Sequence, residues 1–534
     1  MTNPDSSVIR KLLASPPMLA ALACVFLGAI DLTVVASILP HVISDLGVNT
    51  ADIDRYIWAV NAYLISYIVA IPIAGAISDR VGRVPTFAGS LLVFLVGSIV
   101  CAMAGSLGDL IVGRAIQGFG GGGLLPVAIA LTGDTLGKRQ QLAGIGFVGA
   151  VETIGWVVGP IYGAVMTETL SLGDEPWRMV FWINVPILAM LLFAIRGVAR
   201  HDRNRGSLGS LRSLDWLGAI LLSVVLATVT LALASGGELG ASTGSGLRAF
   251  GGTENPVADR VPILIAVAAI SGMALLWWEH RVRSPLLPLR LYRLGDFRST
   301  IAANFLIGVM LMTVMVNVPL VVALGSDRDS AGLASALVLA PFTIAIAVAS
   351  VSMGALARVT NEGRLMVLGV LLSCTGLLLV SPFASTGDTW AMVPGLIVTG
   401  IGIGMLLPPL GTLPIQIGGE DERGAAAASA LTFRLLGMTI GISLLTSAGV
   451  WRLQVLTNLL EPVVQEEGES TALFLVRQQA FILDHAIPLS RQVIGETFFV
   501  GSALAALMLV PVLALRRIGS DDSLPSVADR RGSG

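Results

Sequence analysis

The sequence predicts an all-α polytopic membrane protein, and three observations carry the prediction. Of 534 residues, 54% are hydrophobic and only 13% are charged, against roughly 25% charged in soluble domains. Apolar runs of about 20 residues, long enough to cross a hydrocarbon core about 30 Å thick as a helix, follow one another from Met18 to Leu515. In lipid every backbone N–H and C=O needs a partner, so these runs are expected as helices.

Fourteen spans are expected, at 18–40, 57–77, 86–105, 109–131, 141–166, 178–198, 214–235, 260–279, 299–322, 331–355, 365–384, 390–413, 425–449 and 492–515. The first follows Arg10 and Lys11, is too long for a cleavable leader, lacks a small-x-small cleavage site and contains Asp31, so it is expected to remain as span 1. Most of the 33 basic residues fall on the side of the N-terminus, so both termini are expected in the cytoplasm; the expected location is the plasma membrane. A net charge of −2, with basic residues dispersed over short loops, gives no footprint for nucleic acid. Cys24, Cys101 and Cys374 lie in apolar runs and the four histidines, His41, His201, His280 and His485, are scattered. Neither a metal site nor a disulfide framework is expected, and no cofactor.

The chain repeats itself. Span 2 ends in GAISDRVGR (Gly75 to Arg83) and span 10 in GALARVTNEGR (Gly354 to Arg364), while span 4 carries GFGGGGLLP (Gly118 to Pro126) and span 12 carries GIGIGMLLPP (Gly400 to Pro409). The register pairs span n with span n + 8, a pattern expected of transporters built from repeated halves. The predicted architecture is therefore 6 + 2 + 6: a six-helix bundle over 1–200, an inserted two-helix linker with a Gly-rich external loop over 201–297, and a second six-helix bundle over 298–534. Apolar residues keep helical spacing on both sides of the acidic turn Gln465 to Glu469. Helices 13 and 14 are thus expected to extend outside the membrane over about 451–491.

Ionisable groups deep in spans cost about 2.5–3.5 kcal/mol each to insert and mark function by default. Four lie away from span ends: Asp31, Arg114, Glu152 and Arg434. Counting helical rise from one face, Asp31 and Arg114 sit at about 20 and 22 Å, and Glu152 and Arg434 at about 17 and 15 Å. An Asp31–Arg114 pair would lie within the first half as a buried tie. A Glu152–Arg434 pair would bridge the halves, forming in one conformation and breaking in another, which would couple proton uptake to movement of the halves. The bland alternative for Glu152 is a core group that never changes its state. With few other ionisable side chains in the spans, a central cavity would be apolar and suit lipophilic cargo.

Other strings carry less. GFGGGG fits G-x-G-x-x-G but lies inside a membrane helix with no strand before it, and GDTLGK (Gly133 to Lys138) lacks the spacing of a phosphate loop. Asp52-Ile-Asp54 and Asp327-Arg-Asp329 leave a membrane-embedded transferase as a remote alternative, but no nucleophile and base accompany them, and the chain is expected not to be an enzyme.

Taken together, the motifs resemble the major facilitator superfamily and, within it, the fourteen-helix drug:proton antiporter family. IDLTVVASILP in span 1 is similar to the family's D-x-T-V-V-N-V-A-L-P signature, with Ala36 in place of Asn. GAISDRVGR resembles its gating loop between helices 2 and 3, with Gly75, Asp79, Arg80, Gly82 and Arg83 in place. In the family that loop stabilises one gating state through charge contacts at helix ends. GRAIQGFGGG resembles the helix 4 motif, with Arg114, Gln117 and Gly118. The helix 5 antiporter motif is matched at Gly146, Gly155, Gly159, Pro160 and Gly163, with Ala164 where its last Gly would stand.

A narrower resemblance, to the actinobacterial triacylglyceride exporters that work with a lipid-binding lipoprotein, rests on Glu152 before the Gly-Pro motif, WINVP (Trp182 to Pro186) and the extended segment beside Arg434. The resemblance implies proton-coupled export of lipophilic or amphipathic compounds of the multidrug type, with a lipid exporter as the alternative. Its partners would be the cargo, protons, membrane lipids and an external lipoprotein.

Overall fold

A computed structural model of the chain describes residues 16–46, 57–136, 138–170, 175–199, 214–242, 260–282, 287, 289–325, 331–419, 422–457 and 470–516. Every regular element among them is helical. The first six are α1 (Pro16–Asp45), α2 (Ile57–Val81), α3 (Arg83–Ala102), α4 (Leu107–Thr135), α5 (Lys138–Ala164, passing into a π turn at Val165–Leu170) and α6 (Trp177–Ala199). Two more, α7 (Trp216–Ser242) and α8 (Val261–Glu279), precede α9 (Gly295–Ala323), α10 (Ala331–Val359), α11 (Glu362–Thr386), α12 (Val393–Gly418) and α13 (Arg423–Thr457). Beyond these lie α14 (Thr471–Phe481), α15 (Ile487–Leu507) and α16 (Leu509–Arg516), nearly continuous with one another through a π turn at Ile482–Ala486.

Thirteen helical stretches among the described residues are long and apolar enough to span a bilayer. The expected fourteen are one more: the seventh has an apolar stretch covering only Trp216–Ala232. Proline occurs inside most of these helices, three times in α12 at Pro408, Pro409 and Pro414. In lipid such breaks are tolerated because neighbouring helices re-satisfy the freed carbonyls. Helix starts are marked as expected from side-chain capping: Ser106 Oγ accepts from Asp109 N (3.2 Å) at α4, and Asn361 Oδ1 accepts from Gly363 N (2.8 Å) at α11.

α1 packs along α5, and α2 and α3 pack along α4; α9 packs along α13, and α10 and α11 along α12. The two most extensive crossings between these groups are α2 with α13 and α5 with α10, with lesser contacts of α12 and α13 on α4 and of α12 on α5. The two are built alike. A Cβ on Gly75 of α2 would lie 2.5 Å from Ala428 Cβ of α13, and a Cβ on Gly354 of α10 would lie 2.6 Å from Ala143 Cβ of α5. Each crossing therefore needs a glycine on one side and a small residue on the other, in the n to n + 8 register read from the sequence.

α7 and α8 pack on each other, and α7 also lies against α2 and α13. On α8 only Leu275 and Glu279 are buried; one face packs on α7 and the opposite face, with Ile263, Ile270 and Met273, is exposed. α13 has 35 residues, about 52 Å of helix against a core of about 30 Å. It therefore overshoots, and near its far end Arg452 Nε pairs with Glu496 Oε2 of α15 (2.8 Å). The turn Gln465 to Glu469, both D-x-D strings, His201 and the Gly-rich loop after Ser242 lie outside the described residues.

Candidate functional site

The first polar cluster is enclosed within α1 to α6. Arg114 is fully buried on α4, and Asp31 on α1 is 1% exposed. Arg114 Nη1 donates to Asp31 Oδ2 (3.0 Å) and to Gln117 Oε1 (2.7 Å), Nη2 to the Asp31 carbonyl (3.2 Å) and Nε to the Ala59 carbonyl of α2 (3.3 Å). The guanidinium also lies 4.0 Å over the Tyr63 ring. Asn184 Nδ2 of α6 donates to Asp31 Oδ1 (3.2 Å), and Gln117 Nε2 donates to Ser98 Oγ of α3 (2.9 Å). Five helices thus meet on one ion pair whose lone pairs and protons are matched, the condition under which a buried pair is tolerated. Gly118 permits the close approach of α2, since a Cβ there would strike the Tyr63 backbone.

The second cluster lies where the two groups of helices face each other. Glu152 of α5 is half-buried in a small chamber with Tyr67, Trp156, Cys24, Leu124 and Leu125. Among the described residues its carboxylate makes no hydrogen bond and no ion pair. Arg434 of α13 is buried and donates through Nε (3.3 Å) and Nη2 (3.0 Å) to Asn304 Oδ1 of α9. Asn304 is itself fixed, its Nδ2 donating to the Leu410 carbonyl of α12 (3.1 Å) and the Thr300 carbonyl (3.0 Å). Glu152, Tyr67 and Arg434 share one electrostatic neighbourhood, but in this arrangement the direct Glu152–Arg434 ion pair is not formed. The amide of Asn304 holds the guanidinium in its own group of helices.

The helix 5 motif shapes the surroundings of Glu152. A Cβ on Gly155 would lie 2.6 Å from Ala29 Cβ of α1, and one on Gly159 would lie 2.7 Å from the Ile30 carbonyl. These glycines bring α5 against α1, while Gly146 does the same against the Ser350 carbonyl of α10. Pro160 lies inside α5, and the Gly163 carbonyl accepts from Thr167 Oγ1 (3.0 Å) as the helix gives way to its π turn.

A third cluster closes the end of the molecule at which α2 meets α3. Gly82 links the two helices at φ 109°, a left-handed conformation that favours glycine. Asp79 Oδ1 accepts from Gly424 N (2.8 Å) and Oδ2 from Ala425 N (2.8 Å), the first free amides of α13. A carboxylate there satisfies orphan donors and complements the helix dipole. Arg83 pairs with Asp79, donates to Ser78 Oγ (2.9 Å) and pairs through Nε with Asp134 Oδ2 of α4 (2.9 Å). Arg423 Nη1 binds the other oxygen of Asp134 (2.6 Å), and Arg80 donates to the Ala76 carbonyl (3.4 Å). This lock joins α2, α3 and α4 to α13.

Reading the sequence missed Asn184, Asn304, Asp134 and Arg423. WINVP stands out as a string, which points at Asn184 without giving it a role, and Asp134 and Arg423 fall just beyond the expected spans 109–131 and 425–449, although both lie in helix, at the end of α4 and the start of α13. Nothing in the local pattern distinguishes Asn304.

Comparison with known proteins agrees with this architecture. A family model described as Major Facilitator Superfamily matches residues 21–442. A triacylglyceride transporter of Mycobacterium tuberculosis is 31% identical over 86% of this chain and 88% of its own length. A probable triacylglyceride transporter of Mycobacterium leprae is 28% identical over 94% and 96%. Among solved structures, a proton:xylose symporter superposes with a TM-score of 0.58 at 14% identity, covering 94% of this chain and 96% of its own. A human organic anion transporter superposes at 0.55 and 15%, covering 92% and 100%. At such identities these two speak to the fold alone. With a family model covering most of its length, its relatives at about 30% identity and its helices packed as they are, the chain belongs to the Major Facilitator Superfamily of membrane transporters.

Proposed function

We propose that the protein exports a triacylglyceride-like lipid by alternating access, two six-helix halves rocking about the inserted α7–α8 pair, with proton exchange at Glu152 as the driving step. The choice of lipid over drug is carried by one observation: the relatives named as triacylglyceride transporters align over most of the chain. This reverses the preference for multidrug efflux drawn from the motifs alone. Efflux of other lipophilic compounds is the second reading, favoured by the glycine-proline face of α5.

The geometry supports a coupling role in a specific way. Among the described residues Glu152 stands on one half without a bonded partner, and Arg434, whose charge it feels, stands on the other half, restrained by Asn304. A carboxylate in such a place holds or releases its proton according to whether the guanidinium approaches. The locked end is assigned to the cytoplasm, with both termini on that side in the plasma membrane. The overshoot of α13 and the helices after Thr471 would then face outward, where an external lipid-binding lipoprotein could take the cargo.

The test uses inside-out vesicles carrying the full chain, a fluorescent triacylglyceride and, separately, a fluorescent lipophilic cation, each with and without a proton gradient. Lipid movement that responds to the gradient in wild type and ceases in Glu152→Gln, with the variant folded, is expected. Gradient-driven lipid movement unchanged in Glu152→Gln refutes the proton site, and movement of the cation but not the lipid refutes the cargo.

A further inference from the structure

We propose that a groove on the lipid-facing surface of the first half, walled by α2 and α3 and floored by α4, is a binding site for one acyl chain of a bilayer phospholipid. It stands apart from the cargo reading above and does not depend on it. α2 and α3 each pack closely along α4 and only loosely on each other. The gap between them is an open cavity of about 280 Å³. Small residues carve it: Ala70 and Ala74 on α2, Gly89 and Ser90 on α3, and Gly120 on α4. Gly89 is exposed, and a Cβ built on it would meet no atom within 4 Å.

The chemistry of the lining selects hydrocarbon. Ile73, Ile77, Val81, Val93 and Phe119 supply most of the wall. Thr86 Oγ1 already donates its hydrogen bond to the Gly82 carbonyl (2.8 Å), and no charged side chain lines the cavity. Length selects an acyl chain. The wall from Ala70 to Val81 is eleven helical steps, about 16 Å, or half of a core of about 30 Å. It therefore runs the depth of a single leaflet, beginning at the locked end. The groove is continuous with the lipid-facing surface, where Leu92, Val96 and Phe119 are 48%, 44% and 42% exposed.

This site is separate from the Glu152 chamber, which lies on the other side of α4: Gly120 lines the groove and Gly121 the chamber. Its deep end has a mechanical meaning. Val81 and Pro85 flank Gly82, so a chain seated there fills the space behind the link that holds Asp79 against α13 and Arg83 against Asp79 and Asp134. Occupancy would hold α2 and α3 at the separation they have when the lock is closed.

The test is photolabelling of the full-length protein in nanodiscs of phosphatidylcholine carrying a mid-chain diazirine, with labelled peptides mapped. Labelling of α3 around Gly89 above that of the exposed face of α8, at Ile263, Ile270 and Met273, is expected. Gly89→Leu and, independently, Val93→Trp, which fill the groove from two positions, are expected to bring α3 down to the α8 level, with Gly89→Ala unchanged. Equal labelling of α3 and α8 in wild type overturns the proposal, as does labelling that persists in the folded variant or variants. Displacement of the phospholipid label by added triacylglyceride also overturns it, because the groove would then belong to the cargo.

Discussion

Arg114 and Arg434 are both buried guanidiniums, yet they are held differently, and that difference sets what each can do. Arg114 has an acid, an amide, two carbonyls and an aromatic ring around it. It is a fixed tie. Asp31→Asn would leave it charged and underpaired in the interior, and a loss of about 3–5 kcal/mol is expected, read as a lowered melting temperature in detergent. Among the described residues Arg434 bonds to the Asn304 amide oxygen alone, so it can be released. Asn304→Ala leaves that guanidinium without its bond, and a loss of about 1.5–3 kcal/mol, the worth of a hydrogen bond to a charged group, is expected, read as a lowered melting temperature in detergent together with a slower initial rate of transport in vesicles. Depth along the helices was legible in the sequence, because rise per residue is fixed, and it put both acid–base pairs at compatible levels. Rotation about the helix axis was not legible. It decides that Asp31 touches Arg114 while Glu152 and Arg434 stand apart. Asn304 escaped notice for a related reason, since an uncharged amide in an apolar run costs too little to stand out.

At the scale of elements, the link between α2 and α3 is where the sequence was most informative. Gly82, Asp79 and Arg83 could be read together as a motif, and the structure gives each a contact. The partner of the motif was hidden, because Asp79 bonds main-chain amides 345 and 346 residues away, and an amide leaves no trace in composition. Asp79→Asn removes the charge and one acceptor oxygen from the start of α13. Amide exchange at Gly424 and Ala425 should quicken by about tenfold, equivalent to about 1.4 kcal/mol, as followed by hydrogen–deuterium exchange of the peptide beginning at Arg423. The helices themselves were legible from apolar runs alone. Helix ends and span ends differ: α13 runs on to Thr457, past the expected span end at 449 and into the segment, about 451–491, where an extension outside the membrane is expected, because nothing in lipid or water obliges a helix to stop at the membrane surface.

At the scale of the whole molecule, the lock and the two glycine crossings define a state closed at one end. A cross-link between Asp134→Cys and Arg423→Cys tests whether that state must be left during transport. Arg423 Nη1 and Asp134 Oδ1 lie 2.6 Å apart, so a short reducible bifunctional thiol reagent can join the two positions; the native Cys24 and Cys101 are buried and Cys374 is replaced by Ser in the background. Cross-linking should stop transport and reductant should restore it; transport that continues in the cross-linked protein would mean that this end need not open. The n to n + 8 repeat was visible as two degraded motifs, and packing gives it a physical expression in the paired crossings.

Those crossings are held by different forces. At the α2–α13 crossing the glycine contact is reinforced by Asp79, Arg83, Asp134 and Arg423; at the α5–α10 crossing, Gly354 against Ala143 and Gly146 against Ser350, the described residues add no charge to the contact. The molecule is built like a door with a latch on one side and a close-fitting frame on the other: salt should loosen the first edge and leave the second, which rests on packing, as it is.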